Sequence, residues 1–472
     1  MLEFTPLLIK ENSIPIYVQL YQYIRQKIEE GDIPEGALLP SIRYLSGHLH
    51  ISKNTVENAY QQLAAEGYAE SKPRSGLVVM PLEQPVVLPS SRNIRQKPKA
   101  AEDEKENIIY DFRYGDIDVK SFPMQTWKRC LNQALTDEPE QLLLSNHGKG
   151  DIGLRTELSD HLFQARGVLS SPEQIIICSG TQQALSLMIQ LLSFEDRSVA
   201  MENPGYAGAR SVFINHGLTV KPIRLEQDGI DIEQLKRMKA RAVYITPSHQ
   251  FPYGMVLPIQ KRLSLLEWAN QHDSYIIEDD YDSEFRYQGR PIPSLKALDA
   301  KDNVIYLGTF SKSFLPAARL SYIVLPQKLL DVYDHTFINY SQSASPIIQK
   351  ALYLFMKEGY FKSHIRKMRK IYQKKHQTLI QALQKQMGRH IEIIGQKAGL
   401  HLLVNVKDRS AQELVDKAQA AGVRVYDTSP YWINPKEPES SMVILGFGGL
   451  SEEEIEEGIC QLRKAWFPFD TT

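Results

Sequence analysis

Residues 274–285 read SYIIEDDYDSEF, and residues 303–319 read NVIYLGTFSKSFLPAAR. Each stretch opens with a short apolar run rich in Ile, Val and Tyr, which predicts a buried strand. Each run then ends in polar groups: Asp279, Asp280 and Tyr281 in the first, Ser311 and Lys312 in the second. In an open parallel α/β sheet, ligands sit beyond the carboxyl ends of the strands. An acid, a phenol and a lysine are therefore expected to converge on one crevice.

Pyridoxal phosphate (PLP) chemistry needs that set. A lysine forms a Schiff base with the aldehyde, and an acid keeps the pyridine nitrogen protonated so that the ring can withdraw electrons. A phenol can hydrogen-bond the ring oxygen, and an arginine can pair with the phosphate. The block resembles the PLP site of fold-type I aminotransferases. It most resembles the version fused behind a GntR-type DNA-binding domain, the MocR-type bacterial regulators. The resemblance implies that Lys312 is the Schiff-base lysine, Asp279 the pyridinium partner and Tyr281 the ring-oxygen partner. It assigns Ser311 and Arg319 to the phosphate.

Four further stretches carry the same resemblance. Residues 174–188, QIIICSGTQQALSLM, form an apolar strand, a tight turn and a helix start, where backbone N–H groups make a phosphate cup. By resemblance Gly180, Thr181 and Gln182 bind the phosphate. ENPGY ends at Tyr206, an aromatic placed to stack on the pyridine ring. TPSHQFPYG at 246–254 supplies His249 or Gln250 toward the ring oxygen. Residues 111–118, DFRYGDID, resemble the opening of the effector domain.

The N-terminal eighty residues read differently. Pro15 opens a helix whose Ile16, Leu20, Ile24 and Ile28 recur at helical spacing, and Gly31 follows its end. Ser41 caps a second helix and Ser52 a third, with Val56, Ala59, Tyr60 and Leu63 facing inward. The third exposes Lys53, Asn54 and Thr55 in its first turn, where a recognition helix touches base edges. Two short apolar runs around PRSG then predict a hairpin wing carrying Lys72 and Arg74. PIYVQL, LPSIRYL, ISKNTVENAYQQL, EGY and RSG together resemble the GntR-type winged helix-turn-helix. The resemblance makes Arg43, Ser52, Lys53, Asn54, Thr55, Arg74 and Gly76 the expected DNA contacts. The module is formally acidic, with 7 Lys/Arg against 9 Asp/Glu in residues 1–80, or −2. From 38 to 56, however, the only charges are Arg43 and Lys53. A small positive face of this kind calls for a dimer binding two operator half-sites.

The chain has 472 residues, 42% apolar and 24% charged, with a net charge of −1. Such a length suits two or three domains and the composition an ordinary globular protein. No apolar run reaches membrane-span length, and the N-terminus lacks a signal-peptide pattern. Cys130, Cys178 and Cys460 are scattered, which indicates neither a disulfide framework nor a zinc or other metal site. A cytoplasmic protein is expected. The predicted organisation is a winged helix-turn-helix (1–80), a polar, proline-bearing linker (81–107), and an α/β aminotransferase-like domain with a smaller C-terminal α/β subdomain (108–472).

Aminotransferases usually hold a substrate carboxylate with an arginine from the C-terminal part. Here Arg424 sits within VRVY, and the loop after it, DTSPYWINPKEPE, offers Tyr431 and Trp432 instead. The expected function is a homodimeric transcriptional regulator whose aminotransferase-like domain serves as a sensor rather than an enzyme. Its effector is PLP itself or an amine such as a dipeptide, and its targets are genes of vitamin B6 or of amino-acid and amine metabolism. A working aminotransferase with an accessory DNA-binding head is the alternative.

Overall fold

The computed structural model describes residues 6, 8–9, 14–72, 76–82, 108–137, 139–140, 148–193, 197–287, 292–434 and 442–468. The chain divides into two compact units, Met1–Lys105 and Glu106–Thr472. Most of the predicted linker, and Arg74 of the predicted wing, lie outside the described residues.

In the first unit, helices Ile16–Glu29, Ile42–His48 and Lys53–Ala65 precede an antiparallel hairpin of Ala69–Lys72 and Gly76–Val79. Leu20, Ile24, Val56, Ala59 and Leu63 are fully buried in one core with Leu45. The helix starts follow from their caps. Ser41 Oγ accepts the Tyr44 N–H at 3.2 Å, and Ser52 Oγ accepts the Thr55 N–H at 3.1 Å. Each satisfies one of the donors that a helix N-terminus leaves without a partner.

The second unit is built on an eight-stranded sheet. Its order is Ile175–Cys178, Ser321–Val324, Val304–Thr309, Tyr275–Asp280, Ala242–Ile245, Ser198–Asn203, Thr219–Glu226, Gly229–Ile230. Five central strands run parallel, while Ser321–Val324 runs antiparallel to both neighbours. The sheet is thus mixed rather than wholly parallel. Both faces are covered: Ile277 and Ile305 enter one core cluster, Ile276 and Val304 another. Burial on both faces is why these strands read as unbroken apolar runs.

A second, antiparallel sheet of Ile391–Ile394, His401–Val406, Met442–Gly446 and Tyr426–Asp427 forms the C-terminal subdomain. Helices Tyr360–Met387, Ala411–Ala420 and Glu452–Trp466 supply the rest of its core. Residues Tyr110–Asp111 pair in parallel with Val423–Arg424, and the fully buried Phe112 joins that core. This anchor delivers Tyr114 and Gly115 to the cavity described next.

Candidate cofactor cavity and nucleic-acid interface

Strand pairing brings the two decisive stretches together. Tyr275–Asp280 and Val304–Thr309 run parallel with Asp279 opposite Leu307 and Asp280 opposite Gly308, so both end at the same sheet edge. Beyond that edge lies a cavity of about 350 Å³. Thr181, Gln182, Tyr206, Asp279, Tyr281, Ser311, Lys312 and Arg319 all line it.

Strand alternation sorts the acids. Successive side chains point to opposite faces, so Asp279 reaches the cavity while Asp280 pairs behind the sheet with Arg166 Nε at 2.7 Å. Asp279 Oδ2 accepts the Tyr244 hydroxyl, and Oδ1 is buried without a partner. Burial, as the largest influence, pushes the Asp279 carboxyl up to about 7. A buried acceptor left open asks for a donor from a ligand. The protonated nitrogen of a pyridine ring is such a donor.

Lys312 Nζ lies 4.2 Å from the centre of the Tyr114 ring. Burial brings its ammonium down to about 8, against the opposing pull of Asp282 and Asp116. A buried lysine that gives up its proton near pH 8 supplies far more neutral, nucleophilic amine than an exposed one. Gly115 leaves the space it occupies: a Cβ there would stand 2.5 Å from Nζ.

Arg319 stacks its guanidinium over Gly180, where a Cβ would stand 2.6 Å from Nη2. Gly180 also has φ +95°, so its glycine serves both backbone and contact. It precedes helix Thr181–Leu192, whose first turn receives no side-chain cap. Its free N–H groups, the guanidinium and Ser311 form an anion cradle. Cradle, amine and open carboxylate oxygen fit PLP.

His249 does not line this cavity. It stands behind Tyr281, with Nδ1 2.9 Å from the Tyr281 hydroxyl and 2.9 Å from Asp282 Oδ2. Gln250 is committed elsewhere, donating to the Pro204 carbonyl at 3.0 Å and accepting the Tyr253 N–H at 3.1 Å. Tyr244, Tyr114, Thr246 and Phe251 line the cavity without having been picked out from the sequence. Tyr244 was detectable: it lies in the apolar strand preceding TPSHQ, where one face must meet the neighbouring strand's Asp279.

In the first unit, Arg43, Ser52, Lys53, Asn54 and Gly76 are exposed and Thr55 is half-buried. Ser52 and Thr55 are occupied with each other, their hydroxyls 2.8 Å apart, so they shape the helix start as well as presenting it. The acids at and just beyond the end of the first helix are largely spent: Glu29 pairs with Arg25 at 2.8 Å, and Asp32 with Lys27 at 2.6 Å. Among the described residues no carboxylate pairs with Arg43, Lys53 or Lys72. Those three cations remain available to DNA.

Comparison with known proteins gives both halves a counterpart. Residues 16–79 match the model for bacterial regulatory proteins of the gntR family, and residues 109–461 match aminotransferase class I and II. The HTH-type transcriptional regulator YdeL of Bacillus subtilis strain 168 is 41% identical, covering 98% of this chain and 100% of its own. The probable rhizopine catabolism regulatory protein MocR of Rhizobium meliloti is 32% identical, covering 98% of this chain and 96% of its own. The chain belongs to the MocR-type transcriptional regulators. A solved structure, LysN, the α-aminoadipate aminotransferase of Thermus thermophilus complexed with N-(5'-phosphopyridoxyl)-L-leucine, matches with TM-score 0.68 and 26% identity, covering 76% of this chain and 92% of that one.

Much of the cavity lining of this MocR-type regulator is aromatic: Tyr114, Tyr206, Tyr244, Phe251 and Tyr281. Phe251 and Tyr431 meet edge to face at 4.7 Å, and Tyr206 packs on Phe251 at 6.2 Å. Arg319 is the one arginine among the described lining residues. Arg424 lies 3.6 Å from Asp111. Arg210 donates to the Trp432 carbonyl at 2.7 Å and the Pro430 carbonyl at 2.5 Å, which ties the loop bearing Tyr431 to helix Ala207–Asn215.

Proposed function

We propose that this MocR-type regulator holds PLP in the Lys312 cavity, binds operator DNA through residues 1–80, and changes its DNA binding with the state of that cavity. The observation that carries the reading is the buried, unpartnered Asp279 Oδ1 in the same cavity as a lysine whose ammonium is lowered to about 8. PLP, when bound, supplies an aldehyde that exchanges amines and a ring that withdraws electrons. Lys312 is the amine that captures it. Asp279 accepts the ring N–H through Oδ1 while Tyr244 holds Oδ2 in place. Tyr281 donates to the ring oxygen, with His249 as the positioning residue behind it. Gly180, Thr181, Gln182, Ser311 and Arg319 hold the phosphate, and Tyr206 faces the ring.

Lys53 and Asn54 read bases, while Arg43, Arg74, Ser52, Thr55 and the wing turn at Gly76 hold the backbone. The regulator works as a cytoplasmic homodimer on two half-sites, with residues 81–107 linking head to effector domain. Among the described residues no helix is long and apolar enough to cross a membrane. The effector is PLP, or an amine such as a dipeptide. An aromatic lining with one arginine among the described residues, already used for the phosphate, disfavours simple amino acids that need a bidentate carboxylate partner. The complete set of Lys312, Asp279 and Tyr281 also supports slow amine transfer, which steady turnover with an amino donor and keto acceptor would establish.

The test is the visible absorption spectrum of the purified protein before and after adding PLP, beside Lys312→Ala, with operator affinity measured on the same samples. A band present in the wild type and absent in the variant supports the reading. If PLP binding leaves operator affinity unchanged, and no amine alters it, the sensor role fails. If no band forms in either protein, the assignment of Lys312 fails.

A further inference from the structure

Behind the cofactor cavity lies a second one of about 300 Å³, lined in part by His249, Asp282, Glu284, Arg286 and Arg369. The two cavities share a hydrogen-bonded wall. Asp282 and His249 line the rear cavity, Tyr281 lines the front one, and His249 Nδ1 joins them at 2.9 Å on each side. Proton counting gives this wall a direction. A carboxylate only accepts, so Nδ1 carries the hydrogen directed at Asp282. A protonated Nδ1 has no lone pair to accept the Tyr281 O–H, which is left to donate into the front cavity. The other ring nitrogen, Nε2, is buried without a partner.

The rear cavity carries unspent positive charge. Arg166, also at its wall, is fully used: Nε goes to Asp280 at 2.7 Å, Nη2 to Ser248 Oγ at 2.5 Å and Nη1 to the Ile292 carbonyl. Arg286 is different. Its Nε is buried with no partner, and among the described residues no carboxylate pairs with it. Arg369 spends Nε on the Glu284 carbonyl at 2.9 Å, and the rest of its guanidinium forms no ion pair among the described residues. Burial pushes the Glu284 carboxyl up to about 7, which weakens its opposition. Water takes about 30 Å³ a molecule in the liquid, so the space suits a compact molecule of about ten heavy atoms.

We propose that the rear cavity binds a small carboxylate anion between Arg286 and Arg369, and that Asp282, His249 and Tyr281 transmit its occupancy to the cofactor cavity. A carboxylate answers the bare Arg286 Nε with a charge-assisted hydrogen bond, and guanidinium geometry favours such planar anions. The change in field reaches the Nδ1–H and so alters how firmly Tyr281 donates forward. The transmission half rests on reading the Lys312 cavity as the PLP site; the binding half does not.

The experiment is calorimetric titration of the full chain with succinate, and separately with inorganic phosphate, in wild type, Arg286→Gln and Arg286→Lys. Succinate should bind the wild type at millimolar concentration, about tenfold or more weaker after Arg286→Gln, with an intermediate affinity for Arg286→Lys, which keeps the charge but not the planar guanidinium. Tryptophan fluorescence confirms that each variant folds. In PLP-loaded protein, succinate should shift the visible band of the wild type and leave that of Arg286→Gln unmoved at the same concentration. No succinate binding, or equal binding by Arg286→Gln, overturns the site; phosphate binding alone overturns its carboxylate class. Binding without a band shift overturns the transmission. A protein with no PLP band sinks the cofactor reading, while the titration heats still judge the rear cavity.

Discussion

Asp279→Asn should stabilise the cofactor-free protein and weaken its hold on PLP. In an unfolded chain this carboxyl titrates near 3.8, and in the fold burial raises it to about 7. The native state therefore binds the proton more tightly than the unfolded state does. The acid's contribution is fully favourable below about pH 4 and is lost as pH rises through about 7. At about 1.4 kcal/mol per tenfold change in proton affinity, holding Asp279 ionised above that pH costs the fold about 4 kcal/mol. Asparagine carries no charge to bury and can still accept the Tyr244 hydroxyl. The stability gained by the variant should grow by about 3 kcal/mol between about pH 5 and about pH 8. Urea unfolding followed by tryptophan fluorescence reads this cleanly, because all 4 tryptophans (Trp127, Trp268, Trp432, Trp466) belong to the aminotransferase-like domain. PLP affinity should fall by about tenfold to a hundredfold, the worth of one hydrogen bond to a charged group. A variant that is less stable at every pH, or that binds PLP as well as the wild type, refutes the reasoning.

Capture of PLP should speed up as pH rises through about 8, since burial lowers the Lys312 ammonium to about that value and only the neutral amine attacks; stopped-flow absorbance gives the profile. Ser52→Ala should cost the DNA-binding module about 1 kcal/mol through loss of the cap on helix Lys53–Ala65, read by thermal unfolding. Arg43→Ala should weaken binding to all sequences and flatten the salt dependence by about one phosphate, whereas Asn54→Ala should lose about 1–3 kcal/mol on the operator alone; fluorescence anisotropy at several salt concentrations separates the two. Arg210→Ala should free the loop bearing Tyr431 and Trp432, seen as faster proteolysis there with the PLP band preserved.

Much of this protein was legible in the chain because its signals are local. The caps at Ser41 and Ser52, the helical period of Leu20 and Ile24, and the polar ends of two apolar strands all lie within a few residues of what they control. The convergence of Asp279 and Lys312 was legible too, since two parallel strands must end at the same edge. Contacts made across the fold were not. Tyr244 meets Asp279 from the neighbouring strand, Tyr114 reaches Lys312 only because Tyr110–Asp111 pairs with Val423–Arg424, and His249 stands behind Tyr281 rather than beside it. No spacing along the chain encodes these, because each depends on the register between segments brought together by burial of separate cores. The same holds for the division of labour among Asp279, Asp280 and Asp282. Sequence shows three acids close together; the pleat of one strand and the turn after it send them to an open oxygen, an arginine and a histidine.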